Sequence, residues 1–152
     1  MAQVLIRNKS DIIKVFEARV SLALQKTQDV IYNAIMEELS NYYHEPVFKG
    51  SSTPKQYDRL YKLLNSVVKT KINKSGNGFS CSVEVDDNYL NYTYPGGATG
   101  QEVWEWANDK THGGTVEGKL EVWNNAIDSI GGKQGIMDLM KQNLKKCGVF
   151  VK

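Results

Sequence analysis

The side chains able to do chemistry in this chain are few, and their spacing keeps them apart. Histidine occurs only as His44 and His112. Neither belongs to an HxxxH or CxxC-type spacing that would bring two ligands to one metal, so they read as unrelated loop histidines. Cys81 and Cys147 are the only cysteines, too few for a disulfide framework in 152 residues. Cys81 falls in an alternating apolar series, where a buried thiol behaves as a small hydrophobe and its thiolate is disfavoured. That argues against a Cys–His nucleophile pair. Asp86 and Asp87 are adjacent, and neighbours in a strand or turn point apart, so a solvated turn accounts for them better than a shared proton. Gly76-Asn77-Gly78 lies inside a hairpin turn and not between a strand and a helix. Gly131-Gly132-Lys133 lacks the spacing and the Ser/Thr of a phosphate loop, and no serine sits in GxSxG. The expectation is a protein that is not an enzyme, with no metal and no cofactor.

The aromatic residues carry more signal. There are eight tyrosines and three tryptophans, and Tyr89, Tyr92, Tyr94, Trp104 and Trp106 cluster around a Gly-rich segment. Aromatics with a polar handle are favoured where proteins meet, although alternate members of such a cluster also serve as core. Trp104 and Trp106 are two positions apart, about 200° around a helix, so both cannot face one core. One of them is expected to meet a loop or another subunit.

The elements that position these residues follow from hydrophobic period. From about Ser10 to Tyr43, Ile12, Phe16, Val20, Ala23, Thr27, Ile31, Ile35, Leu39 and Tyr42 recur at steps of three and four, the stripe of a helix. Ile13, Leu24, Val30, Ala34 and Tyr43 widen it, and Lys14, Glu17, Arg19, Gln28, Glu37 and Glu38 fall on the opposite face. Ser10 or Asp11 suits the N-cap, and Pro46 forbids continuation. Such a helix is roughly 50 Å long, longer than a small globule is wide, so it must break or project. Glu45 to Pro54 reads as loop, and Pro54 opens a short helix with Tyr57, Leu60, Tyr61 and Leu64. The period then shortens to two. Val68, Thr70 and Ile72, the turn from Asn73 to Gly78, and Phe79, Cys81, Val83 and Val85 predict a β-hairpin. A third strand over Tyr89–Tyr94, a helix over Gln101–Asn108, helices over Glu117–Ile130 and Lys133–Lys146, and a last strand over Val149–Val151 complete the reading. The fold class is α+β: a long N-terminal helix packed on a small antiparallel sheet, with short helices at the C-terminal end.

Composition bounds the rest. The length predicts a single domain over 1–152, and 41% apolar with 24% charged residues is ordinary for a globular chain. A net charge of +2 gives no electrostatic case for nucleic acid. Lys141, Lys145 and Lys146 read as a cationic last helical turn. No run is apolar enough for a signal peptide or a membrane span, so a soluble protein made in a reducing compartment, with no membrane partner, is expected.

The run Pro54-Lys55-Gln56-Tyr57-Asp58-Arg59-Leu60-Tyr61-Lys62-Leu63-Leu64-Asn65-Ser66-Val67 resembles the neck, or tail-completion, proteins that join head and tail in tailed bacteriophages. There a Tyr-x-Arg-Thr run reaches Leu and then Ser just before the first strand of a small antiparallel sheet. Tyr57, Arg59, Leu63 or Leu64, and Ser66 carry the match, and Leu60 stands where that family often has Thr. The order of elements is similar over about two thirds of the chain. The resemblance implies a structural virion protein, made in the bacterial cytoplasm, forming a homo-oligomeric ring, commonly a hexamer. Such a ring sits at the head–tail interface or tail end, against neighbouring neck and tail-tube proteins, and leaves a passive channel for DNA. On this reading Arg59 is structural, and the interface residues are Arg59, Tyr92, Tyr94, Trp104, Trp106 and His112. The competing expectations are another virion component, such as a minor capsid or tail-tube-associated protein, a small enzyme using Cys147 or His112, and a nucleic-acid-binding accessory protein.

Overall fold

The computed structural model describes residues 7–44, 62–76, 78–90, 99–109 and 121–151. Its longest element is α1, Lys9–His44, an unbroken helix of 36 residues and about 54 Å. The cap is Asn8, ahead of both predicted residues. Its Oδ1 accepts from the Asp11 N–H at 3.0 Å, while the Asp11 carboxylate reaches back to the Arg7 N–H at 2.9 Å. Each side chain thereby satisfies a donor that the helix leaves without a partner.

The hairpin forms, but in two pieces. Strand β1 (Val67–Lys69) pairs antiparallel with β4 (Val83–Val85), and β2 (Asn73–Ser75) pairs antiparallel with β3 (Gly78–Ser80). Lys69 opposes Val83 and Asn73 opposes Ser80, so Thr70–Ile72 face only Cys81 and Ser82. That surplus residue is a bulge. The predicted turn at Asn73–Gly78 is accordingly shorter, with Ser75 directly opposite Gly78. At the bulge the Thr70 N–H donates to Ser82 O at 2.9 Å, and the Thr70 hydroxyl accepts from the Ser82 N–H at 2.8 Å. Gln28 completes the junction, its Nε2 donating to Thr70 O at 2.9 Å and to Ser82 O at 2.7 Å. Gln28 is therefore buried, which corrects its assignment to the solvent face.

The hairpin lies along α1 and runs toward its N-terminus. Lys69 pairs with Asp29 at 2.6 Å and lies over the Tyr32 ring. One bulge further along, Lys74 pairs with Glu17. Upstream, α2 (Lys62–Asn65) leads into Ser66, which is fully buried. The Ser66 hydroxyl donates to Leu63 O at 2.7 Å, and Ser66 O accepts from the Asp86 N–H at 2.7 Å. The serine of the run before the first strand thus ties a short helix to both hairpin strands.

Where a third strand was expected, Asp87–Leu90 is a 3₁₀ turn. Asp86 Oδ1 accepts from both the backbone and the side-chain amide of Asn88, at 3.0 and 2.8 Å. This local Asp-to-backbone bond competes with strand pairing and bends the chain. Leu90 is fully buried and Tyr89 is half exposed. Residues 91–94, the remainder of the expected strand, lie outside the described residues.

Three helices close the core. α3 (Gly100–Asp109) opens with a capping box: the Thr99 hydroxyl accepts from the Glu102 N–H, and Glu102 Oε2 accepts from the Thr99 N–H. α4 (Val122–Ser129) follows Glu121, which donates its N–H to Asn108 O at 3.0 Å. α5 (Gly132–Lys146) runs antiparallel to α1, as two bonds show: Asn143 Nδ2 donates to Thr27 Oγ1 at 3.0 Å, and Arg19 donates to Gly148 O at 3.2 Å. The expected last strand is instead the tail of a helix-terminating motif. Gly148, at φ +77°, donates to Lys145 O, and Val149 donates to Leu144 O. A left-handed residue there favours glycine, and the apolar residue after it folds back on the helix. Val149 is accordingly buried.

The principal core joins Ile35 and Leu39 of α1 to Leu63, Val67, Leu90, Val122 and Ala126, with Trp104 and Trp123 packed against it. Each fully buried Ile or Leu there stabilises the fold by about 1.5–3 kcal/mol. The architecture is α+β, with a long N-terminal helix, a small antiparallel sheet and short C-terminal helices.

Candidate interaction surface

The core occupies only the second half of α1. In the first half the apolar stripe continues without equivalent cover: Ile12 is 55% exposed, Ile13 46% and Phe16 53%. These three were expected to face a core. Helix period shows that they share a face, but α4 and the β1–β4 pair end before reaching them. What stands beside them is the hairpin tip on one side and the end of α5 with its tail on the other.

Between those walls runs an open apolar groove of two adjoining hollows that share Phe16 and Phe79. The inner one, about 310 Å³, is floored by Phe16, Val20 and Leu24 and walled by Phe79 opposite Met140, Leu144 and Val149. The outer one, about 280 Å³, extends over Ile12 and Ile13 and is edged by Glu17 and Lys74. Beyond the tail wall, Phe150 is 92% exposed. Exposed apolar side chains are ordinary singly; a contiguous run bordered by charge is the usual form of a site for a partner.

Charge is divided along the same axis. The segments framing the groove, residues 7–26, 70–82 and 139–151, hold ten Lys and Arg against two carboxylates. The rest of the described chain holds twelve carboxylates against three Lys. Among the described residues the segments framing the groove thus sum to about +8 and the rest to about −9, a polarity that the overall +2 conceals. The acidic end has its own exposed aromatic. Tyr89 is 51% exposed and follows Asp86 and Asp87 in the 3₁₀ turn that packs on α3.

The residues expected to form an interface are distributed differently. Arg59, Tyr92, Tyr94 and His112 lie outside the described residues. Trp104 is half buried, meeting Trp123 edge to face with ring centres 5.4 Å apart, so it serves the core and docks α3 on α4. Trp106 lies in α3, its side chain outside the described set. Cys81 is half buried at the bulge, and burial pushes its thiol above the ordinary range. Cys147 is the C-cap of α5. Among the described residues no group of three His, Cys, Asp or Glu is placed to hold a metal ion, and no helix is long and apolar enough to cross a membrane.

The groove was missed in the sequence because its floor carries the same periodic pattern as the core. The length of the helix did point to an end that outruns its cover, but not to the hairpin tip and α5 tail that wall it. No curated protein and no solved structure matches the chain. One family model does, over residues 8–146, from the cap of α1 to the last turn of α5. The chain belongs to the YomN family, a phage-associated family.

Proposed function

We propose that this chain is a structural subunit of a tailed-phage particle that works through its surfaces and not through a catalytic centre. In this reading it assembles as a ring, commonly a hexamer, at the head–tail junction or tail end. It contacts neighbouring neck and tail-tube proteins there and leaves a passive channel for DNA. The observation that carries the reading is the uncovered apolar groove along the first half of α1. A YomN-family fold with that much unpartnered apolar surface is built to be completed by protein contacts. The run from Tyr57 to Ser66 supports the neck location by its resemblance. In the part described, its serine is the buried link between α2 and the first hairpin strand.

The test is made on purified particles of the phage that encodes the chain. Mass spectrometry should find it in stoichiometric amounts, and a cryo-electron density map should place a ring of this fold between portal and tail tube, or at the tail end. Density in the capsid shell or along the tube would reassign it to another virion component. Absence from washed particles, with the protein present in the infected cell, would end the structural reading.

A further inference from the structure

We infer that copies of this chain associate head to tail, the acidic end of one copy docking through Tyr89 on the apolar groove at the basic end of the next. The inference deepens the structural-subunit reading and rests on it. Charge complementarity selects the occupant. The groove lies within a region of about +8, which repels an identical region brought against it, so a symmetric pairing of groove on groove is disfavoured. The same molecule carries the matching surface elsewhere: outside the groove segments the described residues sum to about −9, and the exposed aromatic there, Tyr89, follows Asp86 and Asp87. An aromatic anchor entering an apolar pocket, with opposite charges around it, is the usual arrangement of a strong protein contact. The two surfaces belong to different ends of one long helix. Each copy therefore offers one groove and one acidic end, and the contact is heterologous. Contacts of that kind close into rings or run on as filaments.

Duplex DNA is the other polyanion that a basic end attracts. The floor of this site, however, is Phe16, Val20, Leu24 and Phe79, an apolar surface with nothing to bond a phosphate. A protein surface with an exposed aromatic fits it better.

The experiment mixes two variants of the full chain. Phe16→Asp disables the groove and Tyr89→Lys disables the acidic end; both side chains are about half exposed, so both variants should fold, with unchanged helical circular dichroism. If Phe16→Asp fails to fold, Lys9→Glu, on the exposed first turn of α1, takes its place. By mass photometry and light scattering at low salt, the wild type is expected to exceed monomer mass and each variant to be a monomer. An equal mixture should form a 1:1 dimer and stop there, since each variant keeps the surface the other lacks. Raising the salt from about 0.01 M to about 1 M shortens the Debye length from roughly 30 to 3 Å and should dissociate the wild type. A wild type that stays monomeric at high concentration overturns the inference. So do variants that keep the wild-type mass, or a mixture that stays monomeric. Tight binding of a labelled DNA duplex by a monomeric wild type would assign the basic end to nucleic acid instead. These outcomes are separable from the particle test, because a chain located in the virion neck yet monomeric in solution keeps its place and loses only this contact.

Discussion

The Gln28 amide holds the Thr70 and Ser82 carbonyls at the one place where the hairpin's own ladder skips a residue. Replacing it with leucine keeps the volume but strands the Thr70 carbonyl beneath α1 and takes one of the donors from the Ser82 carbonyl, which keeps the Thr70 N–H. Unpaired buried polar groups cost about 1–3 kcal/mol, so Gln28→Leu should lower unfolding free energy in urea by about 2 kcal/mol with an unchanged slope. A loss under about 0.5 kcal/mol would mean that water replaces the amide. In the bulge itself, next to Ser82, lies Cys81, whose thiol is pushed up by burial. A raised thiol value means the folded chain holds this proton more tightly than the unfolded one. The associated stability is complete below the unfolded value of about 8.5 and is lost as pH rises through the folded value. Alkylation of Cys81 near pH 8.5, followed on its peptide by mass spectrometry, should be slower in the native chain than in urea, and equal rates would contradict the burial argument. Alternation put Cys81 in a strand facing the core; the structure leaves it half buried between β3 and β4, where the bulge interrupts the alternation. Gln28 was not legible: a polar residue on a helix reads as solvent-facing until the strand it serves is known to carry a bulge.

At the scale of elements, α1 is one helix in two environments. Its second half is held by Ile35 and Leu39 in the core, and its middle by Thr27, buried against Asn143. Its first turns have the Asn8–Asp11 cap and the Glu17–Lys74 and Arg19–Gly148 contacts. Amide exchange should therefore be graded, fast over residues 9–16 and slow over 31–39, following the local opening that packing permits. Asn8→Ala removes a cap of about 1 kcal/mol, but mostly from turns that open before the core does. It should speed exchange in residues 9–16 while leaving the urea midpoint nearly unchanged; an equal shift of both would show that α1 unfolds as one unit. The helix, hairpin and C-terminal helices were readable because each is a repeat of hydrophobic period over many residues. Tyr89 and Leu90, which close the 3₁₀ turn at Asp87–Leu90, and the tail at residues 149–151 were expected as strands. In each, one local bond pattern, Asp86 to Asn88 or Gly148 to Lys145, outweighs the β preference of Tyr89 or Val149.

For the whole molecule, polarity is the property that net charge hides. A sequence total of +2 argues against a polyanion partner, yet one end of the fold gathers ten basic residues against two acids. The two statements are reconciled if the acidic end of a neighbour covers that basic end in the assembly. DNA binding then becomes a readout of assembly. The Tyr89→Lys monomer leaves the groove end uncovered, and it should bind duplex DNA at low salt more tightly than the wild type held at associating concentrations. Its affinity should fall steeply with salt, because each phosphate contact contributes about 0.9 to the logarithmic slope. The added lysine lies at the acidic end, so Tyr89→Ala, which adds no charge, must show the same gain. Fluorescence anisotropy of a labelled duplex, titrated with the wild type and both variants over a range of salt, separates the cases. Equal affinities for all three would mean that the basic end stays open in the assembled state. That end would then be free to face a channel, and the contact between copies would have to lie elsewhere on the fold.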